Sequence, residues 1–299
     1  MHNAQTILIT GATTGIGRHT ALHLARAGHR VIATGRNAEA LTTLRADAVG
    51  LQLDVVTLDV TDRASLAHAA AEVARLTGGR GVDVLVNNAG YGEAAPMLEV
   101  READVRAMYE TNVFGLLAVT QAFLPAMVAR GAGRIVNISS VGGRLTLPLF
   151  GAYNSTKYAV ESLSNAMRME LWPLGIRVVI IEPAATKTEF AKTSVRKMDT
   201  YRRADSPYVA LYARTDRMTA QTERTATDPL VISRVIERAV TSRAPRARYV
   251  APFSGRVIVA LAEWLPTRVF DWLITRLMGL TRAGLGLGVG SPRRTVAEN

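Results

Sequence analysis

Tyr153 and Lys157 stand four residues apart, so a helix that includes both sets the phenol and the ammonium on one face. Ser140 lies just beyond Gly133-Arg134-Ile135-Val136-Asn137-Ile138, which reads as a buried strand. A hydroxyl at a strand end, a phenol and an ammonium are the parts of a proton-transfer site. An unperturbed tyrosine titrates near ~10, too high to exchange protons readily at neutral pH. A cation within a few ångströms favours the phenolate and lowers that value. In this reading Lys157 supplies the cation, Tyr153 the proton, and Ser140 a hydrogen bond to a carbonyl or hydroxyl oxygen. The same residues also fit a serine pair ending a strand and an ordinary helix whose Tyr and Lys face water. The surrounding elements have to decide.

Those elements alternate. Short apolar runs predict strands over residues 7–10, 31–34, 53–58, 82–86, 134–138 and 176–181. Between them, apolar residues at helical spacing predict helices over 18–27, 38–46, 63–76, 103–129 and 153–172. Thr61 or Asp62 suits the N-cap of the third helix, and Pro173 stops the last. Strands alternating with helices imply an α/β fold with a doubly wound parallel sheet and right-handed crossovers. Residues 189–228 are polar and weakly periodic, and read as short helices or a mobile flap. Asp228-Pro229 then opens a helix over 230–240, and 248–250 reads as a last strand. The chain divides into one domain over residues 1–250 and a helical extension with a frayed tail over 251–299. No internal repeat or low-complexity linker is present.

Gly11, Gly15 and Gly17 fall between the first strand and the first helix. Without side chains the backbone turns tightly there and lets a pyrophosphate approach the helix N-terminus, where free N–H groups favour anions. The spacing is G-x-x-x-G-x-G, and its place at the first of six strand-to-helix turns points to a dinucleotide. At the end of the second strand an acidic residue would hold ribose hydroxyls and select NAD. Gly35-Arg36 stands there instead, and a guanidinium suits a 2′-phosphate, so NADP is expected over NAD. Arg36 as a plain surface residue is the alternative. Asp59, after the third strand, would accept a hydrogen bond from an adenine amino group or cap the next segment.

The 299 residues are 48% hydrophobic and 20% charged, a globular composition with enough chain for a large core. With no cysteine, disulfides, thiolate metal sites and cysteine nucleophiles are excluded, which fits a reducing cytoplasm. Met1 to Thr6 show neither the basic nor the apolar part of a secretory leader, and no apolar run approaches the ~20 residues of a spanning helix. The net charge of +11 is uneven. Residues 1–190 hold 17 basic and 16 acidic residues, and residues 191–299 hold 19 and 9. Basic character therefore belongs to the C-terminal third, as in a chain that meets an anionic surface. Arginine richness also fits a solvated face, since only Lys157, Lys187, Lys192 and Lys197 are lysines.

Taken together, the motifs resemble those of the short-chain dehydrogenase/reductase family. The matching pieces are Thr10-Gly11-Ala12-Thr13-Thr14-Gly15-Ile16-Gly17, Asp59-Val60, Asn87-Asn88-Ala89-Gly90, Asn112 in Thr111-Asn112-Val113-Phe114-Gly115, Ser140, and Tyr153 with Lys157. They follow the family's order and spacing, and the likeness covers about residues 5–245. It implies a Rossmann-type domain that moves a hydride between nicotinamide and an alcohol or ketone, with Tyr153 as general acid/base and Ser140 anchoring the substrate oxygen. It also implies that Lys157 binds the nicotinamide ribose and lowers the tyrosine's pKa, and that Asn112 completes a proton relay. Gly11, Thr14, Gly15, Ile16, Gly17, Arg36, Asp59, Val60, Asn88, Ala89, Gly90, Tyr153, Lys157 and Thr188 would hold the cofactor, with no metal. One departure stands out: where the family reads Pro-Gly after the sixth strand, this chain has Pro183-Ala184. Alanine takes positive φ less cheaply, so the backbone there is expected to differ.

The substrate wall is expected from residues 91–96, 141–150 and 184–201. Leu145, Leu147, Pro148, Leu149 and Phe150 suit a lipophilic alcohol or ketone of steroid, retinoid or fatty-chain type, or else pack under the flap or at a subunit contact. A small polar or acyl-carrier-bound ketone is an alternative substrate. A non-catalytic dinucleotide sensor is an alternative function, although such proteins usually lose the Tyr or Lys that this chain keeps. Nucleic acid is not an expected partner, since no recognition motif or aromatic platform accompanies the basic residues. Val269, Phe270, Leu273, Ile274 and Leu277 share a helical face near Trp264 and Trp272, with Arg243, Arg246, Arg248, Arg256, Arg268, Arg276 and Arg282 around them. Such a stripe suits an anionic membrane surface, its own domain or a twin subunit. The family resemblance implies a homodimer or homotetramer paired through the helices over 103–129 and 153–172.

Overall fold

The apolar runs are buried on both faces of one sheet. A computed structural model describes residues 4–287. Its strands are β1 (Thr6–Ile9), β2 (Arg30–Gly35), β3 (Leu53–Thr57), β4 (Val84–Asn87), β5 (Gly133–Ile138), β6 (Ile176–Pro183) and β7 (Arg248–Ala251). All neighbours are parallel, in the order β3-β2-β1-β4-β5-β6-β7. Ile7 pairs with both Val31 and Val84, so β1 has β2 on one side and β4 on the other. The strand order reverses there, which opens a crevice at the strands' C-terminal ends where doubly wound folds take their ligands.

The helices are α1 (Gly15–Arg26), α2 (Ala38–Asp47), α3 (Arg63–Leu76), α4 (Glu102–Tyr109), α5 (Leu116–Arg130), α6 (Gly151–Leu171), α7 (Glu189–Met198), α8 (Val209–Thr225), α9 (Pro229–Thr241), α10 (Phe253–Trp264) and α11 (Thr267–Met278). Successive strand residues point to opposite faces. Ile7 and Ile9 accordingly join Leu24 of α1, Leu44 of α2 and Ile236 of α9 in one core. Leu8 turns the other way, to Leu66 of α3, Phe123 of α5 and Val160 of α6. Each such side chain, fully buried, contributes roughly 1.5–3 kcal/mol. Asp62, not Thr61, caps α3, accepting from the Ala64 amide at 2.8 Å.

One element departs from the sequence reading. The helix expected over 103–129 is interrupted by one π-helical turn, Glu110–Gly115. Gly115 permits this, because a Cβ there would lie 2.8 Å from the Val60 Cγ2 and 3.1 Å from the Glu110 carbonyl oxygen. The continuous helical stretch over 102–130 is also long and apolar enough to cross a membrane by composition, contrary to the expectation of no such run. Half of its most apolar window is buried inside the fold, as in a core helix. Residues 189–228, expected as short helices or a flap, form α7 and the 17-residue α8, with no strand. The frayed tail expected after Ala283 lies mostly outside the described residues.

Candidate active site

At the end of β1, Gly11 and Gly15 have φ of 64° and 54°, backbone that glycine adopts freely. A Cβ on Gly17 would lie 2.3 Å from the Gly11 carbonyl oxygen and 2.4 Å from the Asn88 Nδ2. Asn88 stitches the turn to β4: its Nδ2 donates to the Thr10 and Gly11 carbonyls, both at 3.0 Å. The Thr10 hydroxyl in turn accepts from the Asn88 and Ala89 amides. Thr14, at the N-cap of α1, makes no side-chain cap, and the first turn holds no acidic residue. The helix therefore starts with uncapped N–H groups and the positive end of its dipole, an arrangement suited to an anion. Ile16 packs beneath it against the core, and Thr188 borders it, its Cβ 3.4 Å from where a Gly15 Cβ would be.

Arg36 follows β2 and is exposed. Asp59 bends into a turn, its carboxylate accepting from the Thr61 amide at 2.9 Å. That bond holds its pKa below the usual carboxylate range, and the charge of Arg36 acts in the same direction. Val60 is buried against Gly115. The capping alternative for Asp59 is realised in part, since it closes a turn while Asp62 caps the helix.

Across the switch point, α6 brings Tyr153 and Lys157 to the end of β5, and both are buried. The Lys157 Nζ donates to the Ile138 carbonyl at 2.9 Å and lies 5.9 Å from the Tyr153 ring centre. Ser140 accepts from the Gly142 amide at 3.0 Å, and a hydrogen bond with it lowers the pKa of Tyr153. Burial outweighs that bond and pushes the phenol up to about 12. Burial also brings Lys157 down to about 8, against the pull of the Glu161 charge. The expectation that Lys157 depresses the tyrosine is therefore not met by the chain alone. Desolvation of the phenol dominates.

Asn112 sits in the π turn. Its amide accepts from the Tyr91 N–H at 3.0 Å and donates to the Tyr91 carbonyl at 2.8 Å and the Thr156 hydroxyl at 3.0 Å. It braces the loop after β4 against α6 rather than bonding Lys157. Gly90 lies between them, where a Cβ would sit 3.0 Å from the Asn112 Oδ1 and 3.7 Å from the Lys157 Nζ.

The three segments expected to wall the substrate do converge. The Ala95 amide donates to the Leu149 carbonyl at 2.8 Å, and the Ser194 hydroxyl to the Gly92 carbonyl at 2.8 Å. Buried Glu93 pairs with Lys197 of α7. Leu149 holds φ at 71°, left-handed backbone that costs a non-glycine residue about 1–2 kcal/mol and persists because the side chain is buried. Phe150 and Phe190 flank Tyr153, with ring centres 6.4 and 5.3 Å away. Ala184 avoids positive φ and packs against Gly255 of α10, where an added Cβ would come within 3.1 Å.

Two features were missed in the sequence. Phe190 gave no local signal, since its distance from Tyr153 depends on how α7 docks. Buried Glu182, ending the apolar run of β6, did give one, because a buried carboxylate needs partners. It lies 3.3 Å from Arg144 and 2.7 Å from Arg248, which also pairs with Glu161 at 2.7 Å. Arg144 reaches on to Glu263 of α10. Among the described residues no cluster of three or more metal-ligating side chains occurs.

The sequence profile of the short chain dehydrogenase family matches residues 5–199. A 17-beta-hydroxysteroid dehydrogenase type 6 of Rattus norvegicus is 33% identical over 90% of this chain and 87% of its own. A short chain dehydrogenase/reductase of Burkholderia phymatum, solved in complex with NAD, superposes with a TM-score of 0.75 at 26% identity, over 92% of this chain and 96% of that one. An actinorhodin polyketide ketoreductase solved with NADPH gives 0.70 at 29% identity, over 84% and 97%.

Proposed function

The chain belongs to the short-chain dehydrogenase family, an oxidoreductase that uses a nicotinamide cofactor, and we propose that it interconverts a lipophilic alcohol and ketone with NADP, Tyr153 exchanging the proton. The observation that carries this reading is a buried phenol within reach of Ser140 and Lys157 and walled by Phe150 and Phe190. The tight turn of Gly11, Gly15 and Gly17, which leaves no room for a Cβ on Gly17 against the Gly11 carbonyl and Asn88, and the uncapped start of α1 fit a pyrophosphate. Arg36, beside Asp59, favours a 2′-phosphate, and Asn88, Ala89, Gly90 and Thr188 border the remaining path toward Lys157. NADP, when bound, supplies or accepts the hydride.

The chain's own part is acid–base and positional. The Ser140 hydroxyl orients the substrate oxygen. In reduction Tyr153 gives that oxygen its proton, and a phenol pushed up to about 12 stays protonated and ready at neutral pH. In oxidation Tyr153 must first lose the proton, and the ammonium of Lys157 favours the phenolate. Asn112 acts as a positioning residue, holding Tyr91 and Thr156 so that the loop and α6 keep their spacing. Leu149 packs under α7 and α8, so the apolar wall that favours a lipophilic substrate is Phe150 and Phe190 beside Tyr153, a reading supported by the rat relative named for a hydroxysteroid.

The test follows absorbance at 340 nm with NADPH and NADH over a panel of lipophilic ketones. Turnover with NADPH should fall in Tyr153→Phe by about 10²–10⁴-fold while NADPH still binds, the range for loss of a general acid. Unchanged turnover in that variant would remove Tyr153 from the mechanism. Preference for small polar ketones would overturn the substrate class alone.

A further inference from the structure

The C-terminal helices have two apolar faces, and among the described residues only one of them is covered. Ile274 and Met278 of α11 are buried, and with Phe270 they pack on Leu149, Met198, Leu211 and Tyr212, close to the site. The other face is open. Phe253, Val257, Leu261 and Trp264 recur along α10 at helical spacing, and Val269, Trp272, Leu273 and Leu277 along α11. All eight are exposed, with Trp264 at 86%, Leu277 at 74% and Phe253 at 73%. Isolated exposed apolar residues need no explanation, but a stripe repeated along two successive helices marks an interaction surface.

Arg256, Arg268, Arg276 and Arg282 are exposed on the same two helices and the turn after them. The Arg276 guanidinium lies 4.9 Å from the Trp272 ring centre. Of the two acidic residues in this stretch, Glu263 is taken up by Arg144, leaving Asp271 against four arginines. A second copy of the chain on this face would bring the two sets of arginines together, and like charges disfavour that pairing. Of the last twelve residues only Val289 and Val296 are larger apolar side chains. Apolar and tryptophan side chains framed by arginine suit an anionic bilayer.

We infer that α10 and α11 dock the protein on an anionic lipid surface, with the exposed stripe in the interface and the arginines at the headgroups. The docking surface stands on its own geometry. Its link to the reaction rests on the lipophilic-substrate reading, since the opposite face of α11 joins the apolar cluster beside Tyr153.

The test mixes the full chain with phosphatidylcholine vesicles, with and without phosphatidylglycerol, at low and high salt, and measures co-sedimentation and tryptophan emission. The chain should sediment with phosphatidylglycerol vesicles, its emission should shift to shorter wavelength, and salt should weaken binding. Trp264→Glu with Leu277→Glu should lower vesicle affinity by about tenfold or more, the direction expected on losing buried apolar area, while NADPH turnover of a water-soluble ketone persists. Arg268→Glu with Arg276→Glu should abolish the preference for phosphatidylglycerol. Full-length chain left in the supernatant would overturn the inference, and so would a wild-type oligomer that the Trp264→Glu, Leu277→Glu variant turns into monomer. Vesicle binding without turnover of any ketone would sink the reaction reading and leave the docking surface standing.

Discussion

Tyr153 and Lys157 carry shifts in opposite senses from one cause. Burial disfavours the charged form of each, so the phenol rises to about 12 and the ammonium falls to about 8. Both groups therefore keep their protons at neutral pH. Arg36 poses a different question at the same scale, because it is exposed and the partner we propose for it is the 2′-phosphate of the cofactor. Arg36→Ala should raise the KM for NADPH by roughly tenfold to a hundredfold, the range for losing a hydrogen bond to a charged group, and leave the KM for NADH nearly unchanged. Steady-state kinetics with both cofactors measures this. An equal loss for the two would place Arg36 outside the cofactor site.

Among the elements, β6 and β7 depend on a buried ion network. Glu182 is pushed up to about 7, first by burial and then by the Glu161 charge, while Arg144 and Arg248 pull the other way. Its pKa in the fold thus lies above the ordinary value of 4.5, so the folded chain binds the proton more tightly than the unfolded chain. That stabilisation is complete below the unfolded value and is lost as pH rises through about 7. Between pH 5 and 8 the wild-type unfolding temperature should therefore fall, and Glu182→Gln should flatten that slope. A slope unchanged in the variant would show that Glu182 is ionised in the fold throughout. The π turn belongs to this scale as well. Nothing in Glu110–Gly115 breaks helical spacing, and the extra residue is accommodated because Val60 and Gly115 approach closely in three dimensions.

At the scale of the molecule, the C-terminal helices are part of the body they follow. Ile274 is buried in the cluster that includes Leu149 and Met198, whereas Leu273, its neighbour in sequence, is exposed. Ile274→Ala should cost about 2–5 kcal/mol by transfer and cavity formation. Leu273→Ala should stay within about 0.5 kcal/mol. Denaturant melts of the two variants compare the faces directly. Equal small effects would mean that α11 packs too loosely to close the cluster.

The strands, the glycine turn and the Tyr153-to-Lys157 spacing were legible in the sequence because each is a local pattern: a buried run, a backbone without Cβ, a single helical turn. Local chemistry also exposed Asp59 as a candidate and marked the C-terminal stripe as amphipathic, while Asn88 entered through the family resemblance. What stayed hidden depends on contacts between distant residues. Arg144 meets Glu263 from 119 positions away, Phe190 reaches Tyr153 through the docking of α7, and Asn112 braces Tyr91 through the π turn. The weight of burial on Tyr153 was hidden for the same reason. Spacing puts a cation near the phenol, but only the closed fold removes the water, and in this site desolvation is the larger effect.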